Sequence, residues 1–274
     1  MLRAGQVAAA CVAAAFAVLA YIYLSLPDVR SLATVNPGTT AFMELRAREA
    51  RADGRELRRQ HRWVPYNRIS DSLTRAVLVA EDSSFWEHDG IDLEQIQKSF
   101  EINLEKGRWL RGGSTITQQL AKNLYLSPSR NPLRKLRELF ITRRLEAELS
   151  KRRILELYLN MIEWGDGIWG AEAAARAYFG KPASALSAPE AALLAGAIIN
   201  PRVLSPAGPP ARLLARQRLI LRRMRYVEPP PLDPEAPFPE IAPFDSAEPG
   251  ALPGSALPPE APPPPPKPIP FPVP

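Results

Sequence analysis

Residues that cross-link or chelate are scarce in this chain. Among 274 residues there is one cysteine, Cys11, and there are two histidines, His61 and His88. A single cysteine excludes an internal disulfide framework. Two histidines exclude a histidine-rich metal centre and leave open only a carboxylate site for a hard cation. Alternating apolar and polar runs, the mark of half-buried strands, are also missing, and no repeat of useful period occurs. From Ile69 onward helical periodicity dominates, so an all-α fold is expected.

Acid is scarce before the C-terminal segment. The formal charge is +6 overall. Residues 227–274 hold seven acids against Lys267 alone, which leaves +12 on residues 1–226. Such a surplus favours an anionic partner: nucleic acid, an acidic membrane surface or a phosphorylated substrate. That final segment also holds 20 of the 31 prolines, including Pro262 to Pro266, and is expected to be a disordered or polyproline tail.

Formal charge is absent altogether from Val7 to Leu26. Twenty helical residues span roughly 30 Å, about the thickness of a bilayer's hydrocarbon core. Arg3 precedes the run, and Tyr21 and Tyr23 lie near its far end, as in an uncleaved signal anchor with a cytoplasmic N-terminus. A cleavable signal peptide is the competing reading, but no convincing small-x-small site follows Leu26. The expected organisation is a cytoplasmic end (1–6), an anchor (7–26) and a linker with a basic helical stretch over Phe42 to Arg62 (27–62). A helical domain (63–226) and the tail (227–274) complete it.

Three clusters in the helical domain could carry chemistry. Glu81-Asp-Ser-Ser-Phe-Trp-Glu-His-Asp-Gly90 follows the apolar run Leu73 to Ala80, so Glu81 sits where a buried helix surfaces. A carboxylate beside Phe85 and Trp86 is partly desolvated, which raises its pKa and suits it to general acid/base work. Taken alone, the stretch reads equally as a charged helix end. Gly112-Gly-Ser-Thr-Ile-Thr-Gln-Gln-Leu-Ala-Lys-Asn123 offers Ser114 and Thr115 as helix caps. Ser114, Gln118 and Lys122 then share one face with Gln119 beside them, a set suited to sugar hydroxyls and phosphate oxygens. In the third cluster Glu138 projects between Arg134 and Lys135, with Arg130 before them. That spacing is a common surface salt-bridge pattern, and it is also how a carboxylate is held in a cationic nest. Nucleic acid is disfavoured as partner, because the basic helix has no interleaved aromatics for base stacking.

In order, Glu81-Asp82-x-x-Phe85-x-x-His88-x-Gly90, Gly113-Ser-Thr-Ile-Thr-Gln-Gln-x-x-Lys122-Asn123, Arg134-Lys135-x-x-Glu138 and Lys151-x-x-Ile154-Leu-Glu-x-Tyr158-Leu-Asn160 resemble the successive motifs of the peptidoglycan glycosyltransferases. That family polymerises lipid II. Gly165-Asp-Gly167, Glu172-Ala-Ala-Ala175, Tyr178-Phe-Gly-Lys181 and Asn200-Pro201 continue the match. Trp63-Val-Pro-Tyr66 and Glu163 to Gly167 are most similar to the monofunctional proteobacterial branch. Ala171, Trp164 and Trp169 depart mildly from that branch. No Ser-x-x-Lys or Lys-Thr-Gly is present, so transpeptidation is not expected.

The resemblance implies an all-α, lysozyme-like fold of two lobes, with a membrane-facing small lobe. It implies that Glu81 deprotonates the acceptor 4-hydroxyl and that Glu138 lies near the leaving undecaprenyl diphosphate. Lys122, Arg130, Arg134 and Lys135 would neutralise that diphosphate. Ser114, Gln118 and Gln119 would position sugars and phosphates, while Asp82, Phe85 and His88 would support Glu81. No cofactor is required; a divalent cation (Mg or Mn), with Glu138 as its ligand, is left open. The implied partners are lipid II, the growing glycan, the membrane and other wall-synthesis proteins, with the domain on the periplasmic side of a bacterial inner membrane. A lysozyme-like hydrolase and a non-catalytic membrane scaffold are the alternatives. The cationic set around Glu138 argues against the first, and the intact glutamates argue against the second.

Overall fold

A computed structural model describes residues 4–56, 58–105, 107, 113–129 and 131–226. The proline-rich tail, most of the Gly107–Gly113 segment and Arg130 therefore lie outside the described residues. Ten α-helices are described: α1 (Ala4–Leu24), α2 (Ala41–Ala52), α3 (Asp71–Glu81), α4 (Leu93–Glu105), α5 (Ile116–Tyr125), α6 (Pro132–Glu148), α7 (Lys151–Met161), α8 (Ala171–Phe179), α9 (Ala188–Ala197) and α10 (Ala211–Arg223). Side-chain caps set the starts of several. Thr40, Ser70, Thr115 and Ser150 each accept the amide hydrogen three residues on, and Asn131 accepts that of Leu133.

The core is built on α7, in which every residue from Arg153 to Met161 is buried. Helix α5 packs against α6 and α7, whereas α3 packs against α9 and α10. The end of α3 and the length of α5 thus meet over the core, each carrying one of the glutamate or glutamine clusters noted above.

Two expectations need correction. A small sheet is present: β1 (Gln60–His61), β2 (Glu163–Gly165) and β3 (Ile168–Trp169), in the order β1-β3-β2. β2 and β3 are antiparallel, and β1 joins β3 in parallel. Strands of two or three residues are too short to show alternation, so periodicity missed them. Trp164 and Trp169, the departures from the branch pattern, are 1 % exposed in this sheet. His61 bonds the Asn160 carbonyl oxygen at 3.0 Å, and burial lowers its pKa, which keeps it neutral. The second correction concerns the basic helical stretch. It ends at Ala52, where Asp53 and Gly54 (φ +65°) turn the chain out of the helix toward β1.

Nor is the segment after α1 a free linker. Val29, Leu32 and Thr40 are buried. The buried Arg153 donates to the carbonyls of Leu32 (2.7 Å) and Val35 (3.2 Å) and to Asn36 Oδ1 (2.7 Å). One guanidinium therefore staples this segment to α7. Helix α1 is apolar and exposed, and Gly5–Leu24 is long and apolar enough to cross a membrane. Its C-terminal end rests on α6. Arg144 donates to the Tyr23 carbonyl at 3.2 Å and lies 4.8 Å from its ring centroid, while Arg137 donates to the Ser25 carbonyl at 3.1 Å. The last carbonyls of a helix have no partners within it, and cations placed there also oppose its dipole. Part of the basic run on α6 is used in this way.

Candidate active site

Glu81 is the last residue of α3, with 12 % of its side chain exposed. Two groups from distant parts of the chain hold its carboxylate. Gln119 Nε2 donates to Oε2 at 2.9 Å, and Arg216 Nη2 approaches Oε1 at 3.2 Å. Burial raises the Glu81 pKa, and the Gln119 hydrogen bond and the Arg216 charge only partly offset it. The negative end of α3 works in the same direction as burial. The result is a carboxylate with raised basicity and a free lone pair on each oxygen.

Gln119 is itself fixed. Tyr158, fully buried on α7, donates to Gln119 Oε1 at 2.8 Å. An ionised carboxylate can only accept, so the amide must turn its NH₂ to Glu81 and its oxygen to Tyr158. Gln118 behaves otherwise. It is buried, and its Oε1 accepts the Thr115 amide hydrogen at 3.2 Å in a capping box. Ser114 lies exposed ahead of the helix. The face shared by Ser114, Gln118 and Lys122 thus divides into a cap and one projecting ammonium.

Asp82, Phe85 and His88 form a knot behind Glu81. His88 Nδ1 accepts the Gly90 amide hydrogen at 3.0 Å, so Nε2 carries the proton and donates to Asp82 at 3.0 Å. Asp82 Oδ2 also accepts the amide hydrogen of Ile116 at 2.9 Å, which ties the end of α3 to the start of α5. Glu81 and Gln119 are set in register by that tie. Asp92 lies close enough to Asp82 and His88 for the three to hold a metal ion. However, both ring nitrogens are engaged, and Asp92 Oδ1 caps Gln95 at 2.7 Å, so the donor set is already used. Phe85 is fully buried, edge-on to Trp86 at 4.9 Å and to His88 at 6.4 Å. Gly90 (φ +81°) passes so near α6 that a Cβ would stand 2.7 Å from Thr142 Cγ2, and only glycine fits there.

Glu138 is buried on α6 with 3 % of its side chain exposed. Arg134 Nη1 donates to its Oε2 at 2.5 Å, and Lys135 Nζ bonds its Oε1. Both expected cations are therefore on the carboxylate. Arg130, expected beside them, lies outside the described residues. Lys122 joins the two glutamates: its ammonium feels the negative charges of both Glu138 and Glu81, with Arg134 and Lys135 also near. It makes no ion pair among the described residues and stands 5.8 Å from the centroid of the Phe42 ring. Burial lowers its pKa. A half-buried cation without a counter-ion is a place for an anion.

Arg216 carries no signal that sequence reasoning could use. It lies 135 residues from Glu81 in the chain, on α10, yet its guanidinium reaches the Glu81 carboxylate. Tyr158 was within a motif but carried no assigned role.

Comparisons with known proteins bear on the family of the chain. The transglycosylase family model matches residues 49–225. Biosynthetic peptidoglycan transglycosylase of Laribacter hongkongensis is 50 % identical over 192 residues, covering 70 % of this chain and 84 % of that protein. The protein of the same name from Aromatoleum aromaticum is 53 % identical over 195 residues (71 % and 84 %). That from Thiobacillus denitrificans is 56 % identical over 167 residues (61 % and 72 %).

Proposed function

This chain belongs to the transglycosylase family and is a peptidoglycan glycosyltransferase; from that premise we propose that it polymerises lipid II at a site running from Glu81 through Lys122 to Glu138. Glu81 removes the proton from the 4-hydroxyl of the acceptor's N-acetylglucosamine. The oxygen attacks the anomeric carbon of the glycosyl donor's N-acetylmuramic acid. As the new β-1,4 bond forms, the bond to the diphosphate breaks, and undecaprenyl diphosphate leaves with the electron pair. A base with raised pKa suits the first step, because proton transfer is most efficient when the base's pKa is near the working pH.

The leaving group gains negative charge, and preorganised cations stabilise it. Lys122 supplies a charge with no ion pair among the described residues, and Arg134 and Lys135 are near it; Arg130, outside the described residues, is assigned to the same task from its motif alone. Glu138 fixes the Arg134 and Lys135 heads. Both oxygens of Glu138 are taken by cations. The arrangement therefore suits a clamp better than a metal ligand, and no step is assigned to a divalent ion. Gln119 orients Glu81, Ser114 lies at the mouth for sugar contacts, and Gln118, Asp82, Phe85 and His88 hold the frame.

The chain is read as single-pass, with α1 in the inner membrane and the domain on the periplasmic face. On α4, Leu93, Ile96, Phe100 and Leu104 are 75, 39, 60 and 72 % exposed and recur at helical spacing. That stripe suits a small lobe resting on the bilayer.

The observation that carries this reading is the Lys122 ammonium, which makes no ion pair among the described residues although the charges of Glu81 and Glu138 both reach it. A hydrolase acting on neutral finished glycan has no use for it. Incubating the full chain with lipid II in detergent should give polymeric glycan and free undecaprenyl diphosphate. Untouched lipid II, with soluble fragments released from isolated wall, would replace this reading with a hydrolase.

A further inference from the structure

The buried polar side chains of α7 have different tasks. Glu156 Oε1 accepts the Tyr66 amide hydrogen at 3.0 Å, and Asn160 accepts the Val64 amide hydrogen at 3.0 Å and donates to its carbonyl at 2.9 Å. Arg153 holds the carbonyls of Leu32 and Val35. Each of these secures backbone. Tyr158 does not: it is fully buried, and among the described residues its hydroxyl bonds only a side chain, Gln119 Oε1, at 2.8 Å. A hydroxyl withdrawn from water costs free energy unless it is bonded, so for packing alone a phenylalanine would serve as well.

The amide between Tyr158 and Glu81 has two orientations of the same shape. In one, its NH₂ donates to Glu81 Oε2 at 2.9 Å and its oxygen accepts from Tyr158. In the other, the two ends exchange. Exchange suits a protonated Glu81, whose O–H then donates to the amide oxygen. Tyr158 opposes it: the hydroxyl proton would meet an NH₂ group and lose its acceptor in a buried place. The charged groups acting on Glu81 are Arg216 on α10 and Lys122 on α5. Asp82, next in the chain, is turned to His88 and to the Ile116 amide. Helix α9, which also packs on α3, carries one charged residue, Glu190, bonded to Lys181 and Ser187, and Arg225 after α10 is exposed.

We propose that Tyr158 is a positioning residue: it locks the Gln119 amide with its donor toward Glu81 and so denies a protonated Glu81 its best hydrogen bond. The inference rests on the reading of Glu81 as the base that takes the acceptor's proton. With the lock in place, the proton gained from each acceptor hydroxyl is shed to water rather than held in a bond to the amide. The carboxylate is then ready for the next addition. Burial favours the protonated form, and the lock works against it in the same sense as Arg216 and Lys122.

The test is the pH profile of kcat/KM for the full chain with lipid II in detergent. Tyr158→Phe keeps the ring and removes the donor, so the acid limb should move to higher pH. On the plateau above that limb, kcat/KM should fall no more than about tenfold, the effect of one lost hydrogen bond. In a Gln119→Met background the same substitution should leave the limb where Gln119→Met alone puts it, because no amide remains to be locked. A limb that Tyr158→Phe leaves in place, moves to lower pH, or moves as far in the Gln119→Met background overturns the proposal. Should a variant fail to fold, the hydroxyl proton of the parent chain decides. Buried and donated to the amide, it should give a resonance in tyrosine-labelled protein that persists as Glu81 becomes protonated. Its loss over that pH range would show the amide turning and overturn the lock. If the parent polymerises nothing, the reading of Glu81 as base fails, while the resonance still reports on Tyr158 and Gln119.

Discussion

Two glutamates whose charges both reach Lys122 are held in opposite ways. Glu81 has a neutral amide on one oxygen and an arginine at 3.2 Å on the other, and burial prevails, so its pKa is raised. Glu138 has a cation on each oxygen, and Arg134 is 18 % exposed at the side chain. The first carboxylate is kept reactive at the expense of stability. The second is satisfied by its surroundings and lends order to the groups that bind it. The same side chain thus serves as base or as clamp, and what decides is the number of cations brought to it.

The largest break in that comparison comes from Glu81→Gln. Without a base the polymerisation rate should fall at least about 10³-fold. Because the folded pKa is raised, the native state binds the Glu81 proton more tightly than the unfolded chain does. The associated stabilisation is present below the unfolded pKa and is lost as pH rises through the folded one. A neutral isostere removes that cost, so the melting temperature at neutral pH should stay level or rise. A clear fall in melting temperature, or retained polymerisation, would contradict the assignment.

Lys122→Met should follow, with kcat/KM down about 10²-fold, the usual effect of losing one preorganised charge-stabilising group. Its ammonium has no ion-pair partner among the described residues, so stability should not suffer. Glu138→Gln sharpens the contrast most directly. Its rate should also fall, by about tenfold to 10²-fold, but here the melting temperature should drop, because Arg134 loses a buried partner. Equal stability changes in Glu81→Gln and Glu138→Gln, read by calorimetry, would erase the distinction between the two sites.

How much of this was legible in the sequence follows from distance along the chain. Glu138 between Arg134 and Lys135 could be read from spacings of four and three within one helix, and the structure has both contacts. The capping signal at Thr115 was equally local. Gln118 misled because a glutamine three residues after a threonine can close a capping box or face a ligand, and the sequence does not distinguish them. The link from Asp82 to Ile116 spans 34 residues, and that from Arg216 to Glu81 spans 135. Neither has a periodic signature, since each arises only when α3 meets α5 or α10. The sheet was hidden by its brevity. The packed course of residues 27–40 was hidden because a carbonyl held by Arg153 leaves no mark on the residue that owns it.

Arg216 offers the smallest effect and the finest test of what tunes Glu81. Its guanidinium lowers the Glu81 pKa against the rise caused by burial. Arg216→Gln removes the charge while keeping a polar head, so the Glu81 pKa should climb further. The acid limb of the kcat/KM profile, where activity is lost as Glu81 becomes protonated, should then move to higher pH. At a pH well above that limb the variant should retain most of its activity, because the base is ionised again. A variant equally impaired at every pH would mean that Arg216 contacts substrate or holds α10 in place. An acid limb moved downward would mean that another group, and not the Glu81 carboxylate, titrates in the profile.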